Sequence, residues 1–237
     1  MNNKNRNRAV AKAETQKKSD FTRRIFLSLL SASFLLALFV LGGNAFADNK
    51  DPAEQEKARQ FIEVFADRAI GVLNNKELTE EETLGEYRSI LNEAFALDYI
   101  ARITLSRHRR KATEAELAEY FNLFPEFILK VNASRLQKLN TAKIDIERVT
   151  PHAKSDIFIR TKAYNSENKS IDVDWRVRSD KNGNVRIIDV KIEGISLVAT
   201  QRDDFTARIS SSGISGLNQY MKDIIDGLTV AEEETTS

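Results

Sequence analysis

Between Ile144 and Ile192 apolar residues return at every second position, and this alternation constrains the fold more than any other feature of the chain. The cleanest run has Ile171, Val173, Trp175 and Val177 alternating with Asp172, Asp174, Arg176 and Arg178. Successive side chains of a strand point to opposite faces, so this run reads as a strand with one buried face and one charged face, the pattern of an antiparallel sheet. Ile144, Ile146 and Val149 repeat the pattern, as do Ile157, Ile159 and Thr161, which alternate with Phe158 and Arg160. Asn182-Gly183 supplies a tight turn, and Val185–Ile192 returns as the next strand. The expected sheet is an antiparallel meander of four strands.

Helical spacing flanks this region on both sides. After a polar lead-in from Asp48 to about Gln55, the residues Phe61, Val64, Phe65, Ala69 and Val72 form one apolar stripe. Asn74-Asn75 and the acidic stretch Glu77–Glu82 interrupt it. A second helix fits Glu82–Phe95, with Leu84, Tyr87, Leu91 and Phe95 on one face, and a short helix fits Leu97–Leu105. Thr113-Glu114-Ala115-Glu116 reads as a capping box that opens a helix running to about Leu139. Pro125 should kink that helix, because proline lacks the amide donor and crowds the preceding turn. Beyond Gly194, Phe205 and Ile209 share a helical face, Gly213 ends that helix, and Leu217, Tyr220, Ile224 and Ile225 mark another. The fold class is α+β, with helices covering the sheet. No repeat or long linker divides residues 48–230, which read as one domain, and the acidic tail 231–237 reads as frayed.

Residues 1–47 read as a leader. Ile25–Ala47 is a run of 23 residues without a charge, Arg23 and Arg24 stand before it, and Ala45-Phe46-Ala47 puts small residues at a cleavage site followed by Asp48. This order is that of a cleavable signal peptide and sends the protein to the periplasm. The alternative is an uncleaved anchor, since about 20 apolar residues span a bilayer. Thr22-Arg23-Arg24-Ile25-Phe26-Leu27 fits a twin-arginine export signal, against an ordinary Sec signal that happens to carry two arginines. The whole chain has 36 Lys/Arg and 35 Asp/Glu, of which the leader holds eight and two, leaving 28 and 33, a mature charge of about −5. An acidic domain is a poor partner for nucleic acid, which is bound by neutralising phosphates. The chain has no cysteine, which excludes disulfides, thiol catalysis and thiolate metal sites.

Residues that could carry catalysis are sparse. His108 lies in the basic run Arg107–Lys111 and His152 follows Pro151, and neither has a metal-ligand partner three or four residues away. There is no Gly-x-Ser-x-Gly elbow and no phosphate-cradling Gly-x-x-x-x-Gly-Lys loop. Asp172 and Asp174 share a strand face, but Arg176 and Arg178 beside them make a solvated charged strand the simpler reading. No metal or cofactor is expected. Arg107–Lys111 either touches anionic head groups or an acidic partner, or is a solvated loop before a helix.

Several segments, taken in order, resemble one family. They are Phe61-Ile62-Glu63-Val64-Phe65-Ala66-Asp67-Arg68-Ala69-Ile70, then Phe95-Ala96-Leu97-Asp98-Tyr99-Ile100-Ala101-Arg102, then Arg110-Lys111-Ala112-Thr113. The strongest is Ile188-Asp189-Val190-Lys191-Ile192-Glu193-Gly194-Ile195-Ser196-Leu197-Val198, followed by Arg202, Phe205 and Gly213. The sequence resembles the periplasmic phospholipid-binding component of the Mla lipid-asymmetry pathway, also called the toluene-tolerance family, over about Glu54 to Ile225. It departs from the family pattern Leu-Gly-Arg-x-Trp-Arg, where Ser106 replaces the glycine and Arg109 the tryptophan.

The resemblance implies a monomeric carrier without enzymatic activity that moves phospholipid between two membrane assemblies. One is an inner-membrane ABC transporter with an MCE-domain subunit. The other is an outer-membrane lipoprotein–porin complex. An apolar cavity for the acyl chains should then lie between sheet and helices, lined by Phe65, Phe95, Ile100, Phe121, Phe124, Ile128, Trp175, Val177, Ile187, Val190 and Leu197. Arg68, Tyr164 or Arg202 could meet the head group at its mouth. The competing readings are a solid core in a structural adaptor, and a small cavity-bearing α+β enzyme.

Overall fold

The computed structural model describes residues 51–227, apart from 139–140 and 153–154 and the side chains of 133–138. The leader 1–47, its cleavage site and the tail 231–237 lie outside the described residues. The chain order is α1 (Pro52–Asn74), α2 (Glu80–Ala94), α3 (Leu97–Leu105), a 3₁₀ helix (Ser106–Lys111) and α4 (Glu114–Lys138). Then come β1 (Thr141–His152), β2 (Asp156–Asn165), β3 (Ser170–Ser179), β4 (Val185–Ile192), β5 (Ile195–Ser196) and α5 (Leu197–Ile225). The strands form one sheet in the order β1-β2-β3-β4-β5, every pair antiparallel. The meander is therefore the expected one with a fifth, two-residue strand added. That strand is too short to show a period in the sequence. It is formed because Glu193 (φ 49) and Gly194 (φ 79) both take left-handed backbone and turn the chain back on β4.

Three local features decide the helix ends. Asp51 caps α1 by accepting from the amide of Ala53 at 3.0 Å, and Pro52 opens the helix. α1 therefore starts inside the expected polar lead-in. Thr79 and Glu82 form a capping box for α2, with Glu82 N donating to Thr79 Oγ1 at 3.2 Å and Thr79 N to Glu82 Oε2 at 2.8 Å. The expected box at Thr113 and Glu116 closes in the same way. α4 continues through Pro125 as one helix. Gly213 breaks α5 with φ 72 and ψ −176, a conformation for which glycine is the natural choice.

The apolar face of the sheet forms one core cluster with α1, containing Ala58, Ile62, Ala94, Ile157, Ile159, Val173, Trp175, Val177, Ile187 and Val190. A second cluster joins α3, α4 and α5 through Ile100, Leu105, Tyr120, Phe124, Phe127, Phe205, Leu217 and Met221. Phe95 packs against both. The link between α2 and α3 is hydrogen-bonded to the sheet, Ala96 N donating to the carbonyl of Ile187 at 2.9 Å. Simple alternation would set Ile187 and Val190 on opposite faces. A bulge brings them to the same one: Arg176 faces Asp189 while Val177 faces Ile187, so Ile188 is an extra residue.

The stripe of α1 is displaced from its expected position. Ile62 is fully buried at its centre, flanked by Ala58 and Ala66, whereas Val64 is 69% exposed. Large residues at 61, 64 and 65 drew the expected face about one position off the real one, which small alanines mark. Ile62→Ala should therefore cost about 2–5 kcal/mol, whereas Val64→Ala should stay within about 0.5 kcal/mol. Chemical denaturation of the two variants checks the contrast, and equal losses would contradict this face.

Candidate functional site

The expected acyl-chain residues fall into two groups that share one ring. On the sheet side, Phe65 of α1 meets Trp175 of β3 edge-on, with ring centroids 5.2 Å apart, and meets Phe95 at 5.9 Å. Val177, Ile187 and Val190 are buried in the same cluster. On the helical side, Ile100 and Phe124 are buried, and Phe121 and Ile128 pack partly buried against them. The expected open cavity between sheet and helices is not displayed. Where sheet and helices meet, the Phe65 ring contacts both Phe95 and Trp175. Leu197 lies at the surface, 40% exposed, not in the interior. Sequence reasoning left Ile62, Ile159, Phe127, Phe205 and Met221 out of the lining, although all five are buried. For Phe205 the signal was present, because it shares a helical face with Ile209.

The apolar face does not stop at the core. Ile192 is opposite Val173 and also opposite Ile195, and Ile171 lies two residues before Val173, so all share the face that carries Trp175. Yet Ile171, Ile192 and Ile195 are exposed. With Leu197 they extend the buried surface into solvent at one end of the sheet.

The three head-group candidates are not brought together by any shared contact. Arg68 donates to Glu93 at 2.6 Å and to Ser89 at 2.9 Å, and lies 3.5 Å from Glu86, so α2 engages its guanidinium. Tyr164 lies under Lys143, whose Nζ is 5.9 Å from the ring centroid. Arg202 pairs with its neighbour Asp203 at 3.1 Å.

The other face of the sheet is a ladder of charges. Arg160 holds Asp174 through two bonds of 2.8 and 3.0 Å. Arg176 and Arg178 both turn to Asp156, a carboxylate only 1% exposed, and reach it at 2.5–3.1 Å. Burial alone would push the Asp156 carboxyl up. The hydrogen bonds of Arg178 and Arg176, with their charges, outweigh it and hold it below its ordinary value. A carboxylate locked in this way is poorly suited to exchange protons near neutral pH. Tyr120 is the opposite case: burial raises its hydroxyl, which donates to the carbonyl of Ala101 at 3.0 Å.

A basic concave surface lies beside α5. Arg107, His108, Arg110, Lys111 and Ser210 line a cleft of about 360 Å³ between the 3₁₀ helix and α5. An adjoining cleft of about 480 Å³ has His108, Lys111, Glu116, Ile209, Ser210, Gly213 and Ile214 in its walls. Ser106 enters this segment with φ 49 and ψ −131. No group of acidic and histidine residues that could hold a metal occurs among the described residues. Nor is any helix among them long and apolar enough to cross a membrane.

The family model described as MlaC protein matches residues 63–223, more than half of the chain. The chain belongs to the MlaC family. A solved phospholipid-binding protein from Ralstonia solanacearum, in complex with a phospholipid, has a similar fold: the TM-score is 0.62 at 18% identity, over 72% of this chain and 98% of that one. The MlaC match runs from the middle of α1 to near the end of α5. It includes the buried Asp189, which accepts from Ser196 Oγ at 2.7 Å and from Val198 N at 3.2 Å. This ties the family-like segment Ile188–Val198 to the start of α5. The departure at Ser106 now has a physical meaning, because a serine stands where the backbone calls for glycine.

Ser106→Gly should raise stability by about 1 kcal/mol, read as a higher thermal midpoint. A fall would show that the serine hydroxyl supports the segment. Asp156→Asn should lower stability by about 1–3 kcal/mol at neutral pH, since two guanidiniums lose their anion. The native carboxyl titrates below the unfolded value of about 4, so its contribution is complete above that pH and is lost as pH falls through the native value. Denaturation of parent and variant across pH 2–7 should therefore show the gap narrowing only in acid. A gap that is constant with pH would assign the effect to packing.

Proposed function

We propose that this protein is an exported phospholipid carrier of the periplasm. Its signal peptide is cleaved after Ala47, leaving one lipid-binding domain over 48–230 and a frayed tail over 231–237. It shields acyl chains between the apolar sheet face and the helices. It passes lipid between an outer-membrane lipoprotein–porin complex and an inner-membrane ABC transporter with an MCE-domain subunit, so maintaining outer-membrane lipid asymmetry. It acts as a monomer and as a binding protein, not an enzyme. The observation that carries the reading is membership of the MlaC family. The similar fold of a protein solved with a bound phospholipid supports it.

The core suits this task. The two clusters share Phe95, whose ring meets Phe65 at 5.9 Å, and Phe65 in turn meets Trp175 at 5.2 Å. A hydrocarbon tail that parts these rings exchanges one apolar contact for another. The exposed Ile171, Ile192, Ile195 and Leu197 make the sheet end the entry point, where a tail keeps apolar contact on leaving a partner. Tyr164 is opposite Ser170, next to Ile171, and Arg202 lies in the first turns of α5. Both stand at this end and remain head-group candidates, Arg202 through exchange of its exposed partner Asp203 for a phosphate; Arg68 is held by Glu86, Ser89 and Glu93 of α2. Each buried methylene contributes about 0.8 kcal/mol. Spontaneous loss of two tails into water is then negligible, and release requires a partner that offers an apolar surface.

Native mass spectrometry of protein purified gently from the periplasm tests this. The expected mass corresponds to a chain starting at Asp48 plus roughly 700 Da of lipid, lost on unfolding because the ligand binds only the folded state. A lipid-free protein under the same conditions would favour a structural adaptor with a filled core.

A further inference from the structure

The structure points to a second binding site: we propose that the basic cleft between the 3₁₀ helix and α5 takes a phosphate-class anion. Elsewhere many arginines are engaged, and Arg148 and Arg186, which have no ion pair among the described residues, line neither cleft. Arg68, Arg88, Arg160, Arg176, Arg178, Arg202 and Arg208 all have carboxylate partners within hydrogen-bond reach. Arg107, Arg110 and Lys111 have no ion-pair or hydrogen-bond partner among the described residues, and no acid lines their cleft of about 360 Å³. Three cations converging on one concave wall repel one another, and an anion relieves that repulsion.

A further observation points the same way. The Nε2 atom of His108 is buried and lacks a hydrogen-bond partner, in a side chain that lines both adjoining clefts. A buried nitrogen without a partner costs free energy that a ligand oxygen would recover. The acid Glu116 lies only in the wall of the second cleft, and its carboxylate is occupied. Oε2 accepts from the amide and hydroxyl of Thr113 at 2.9 Å each, and Oε1 accepts from Ser215 Oγ at 2.7 Å.

The cleft is not the mouth of the acyl-chain core. Ser210 lies 13 residues beyond Leu197 on α5, about 20 Å along the helix at 1.5 Å per residue. The chemistry recognised is a phosphate bearing at least one negative charge, from inorganic phosphate or from the head group of a lipid other than the one held in the core.

The test uses lipid-loaded protein, so that the core is filled, and follows the His108 ring resonances by NMR. One arm titrates inorganic phosphate, the other a short-chain phosphatidylglycerol below its micelle concentration. Both are expected to shift the His108 resonances, with affinity at least roughly tenfold weaker in Arg107→Glu/Arg110→Glu, since each reversal removes an attraction and adds a repulsion. Arg107→Gln/Arg110→Gln should fall between. Tighter binding of the lipid than of phosphate assigns the site to a head group; equal or weaker binding assigns it to the free anion. No shift in either arm, or shifts unchanged in both variants, overturns the proposal. Co-purifying lipid is measured on the same variants. Its loss would count against the carrier reading and leave the cleft result standing.

Discussion

The junction at Phe95-Ala96 holds the two halves of the core together. The Ala96 amide is bonded to the Ile187 carbonyl of the sheet at 2.9 Å, and the Phe95 ring packs against both apolar clusters. An antiparallel sheet with one apolar face must be covered, and this link delivers the chain from the helix that lies by the sheet to the helices that pack on one another. It also occupies part of the free edge of β4, which would otherwise present unpaired backbone groups to other chains. The interior is therefore two packed clusters that share the Phe95 ring.

Charge is distributed in the same economical way. The two most buried carboxylates are both latches. Asp156 joins β2 to two arginines of β3, and Asp189 ties β4 to the start of α5. These tie down the sheet and its connection to the long helix. The segment Ser106–Lys111 lies outside this pairing. It carries cations without partners among the described residues and begins at a serine in left-handed backbone. Local rules are most often broken where a protein binds something.

Much of this was legible in the residues themselves. The alternation through Ile171–Arg178 specified the antiparallel sheet and its buried face. The Thr113 capping box placed the start of α4, and Gly213 the break in α5. Other features were missed for identifiable reasons. The stripe of α1 was displaced because Ala58 and Ala66 carry little hydrophobic weight individually, although they let the helix approach the sheet. The capping box at Thr79 was hidden by the acidic run around it. The fifth strand was too short to show any period.

By itself, then, the sequence determined the α+β class, the meander order, most helix boundaries and the resemblance to a lipid-carrier family. All of these depend on neighbours in the chain or on a regular period. Only the tertiary structure decided that Ile187 and Val190 share a face, because that depends on a one-residue bulge against β3. Only it paired Arg176 and Arg178 with Asp156 across 20 and 22 residues. Likewise, only it showed that Arg68 is engaged while Arg107 and Arg110 are left without partners, since whether a charge finds a partner depends on distances between elements that sequence spacing does not encode.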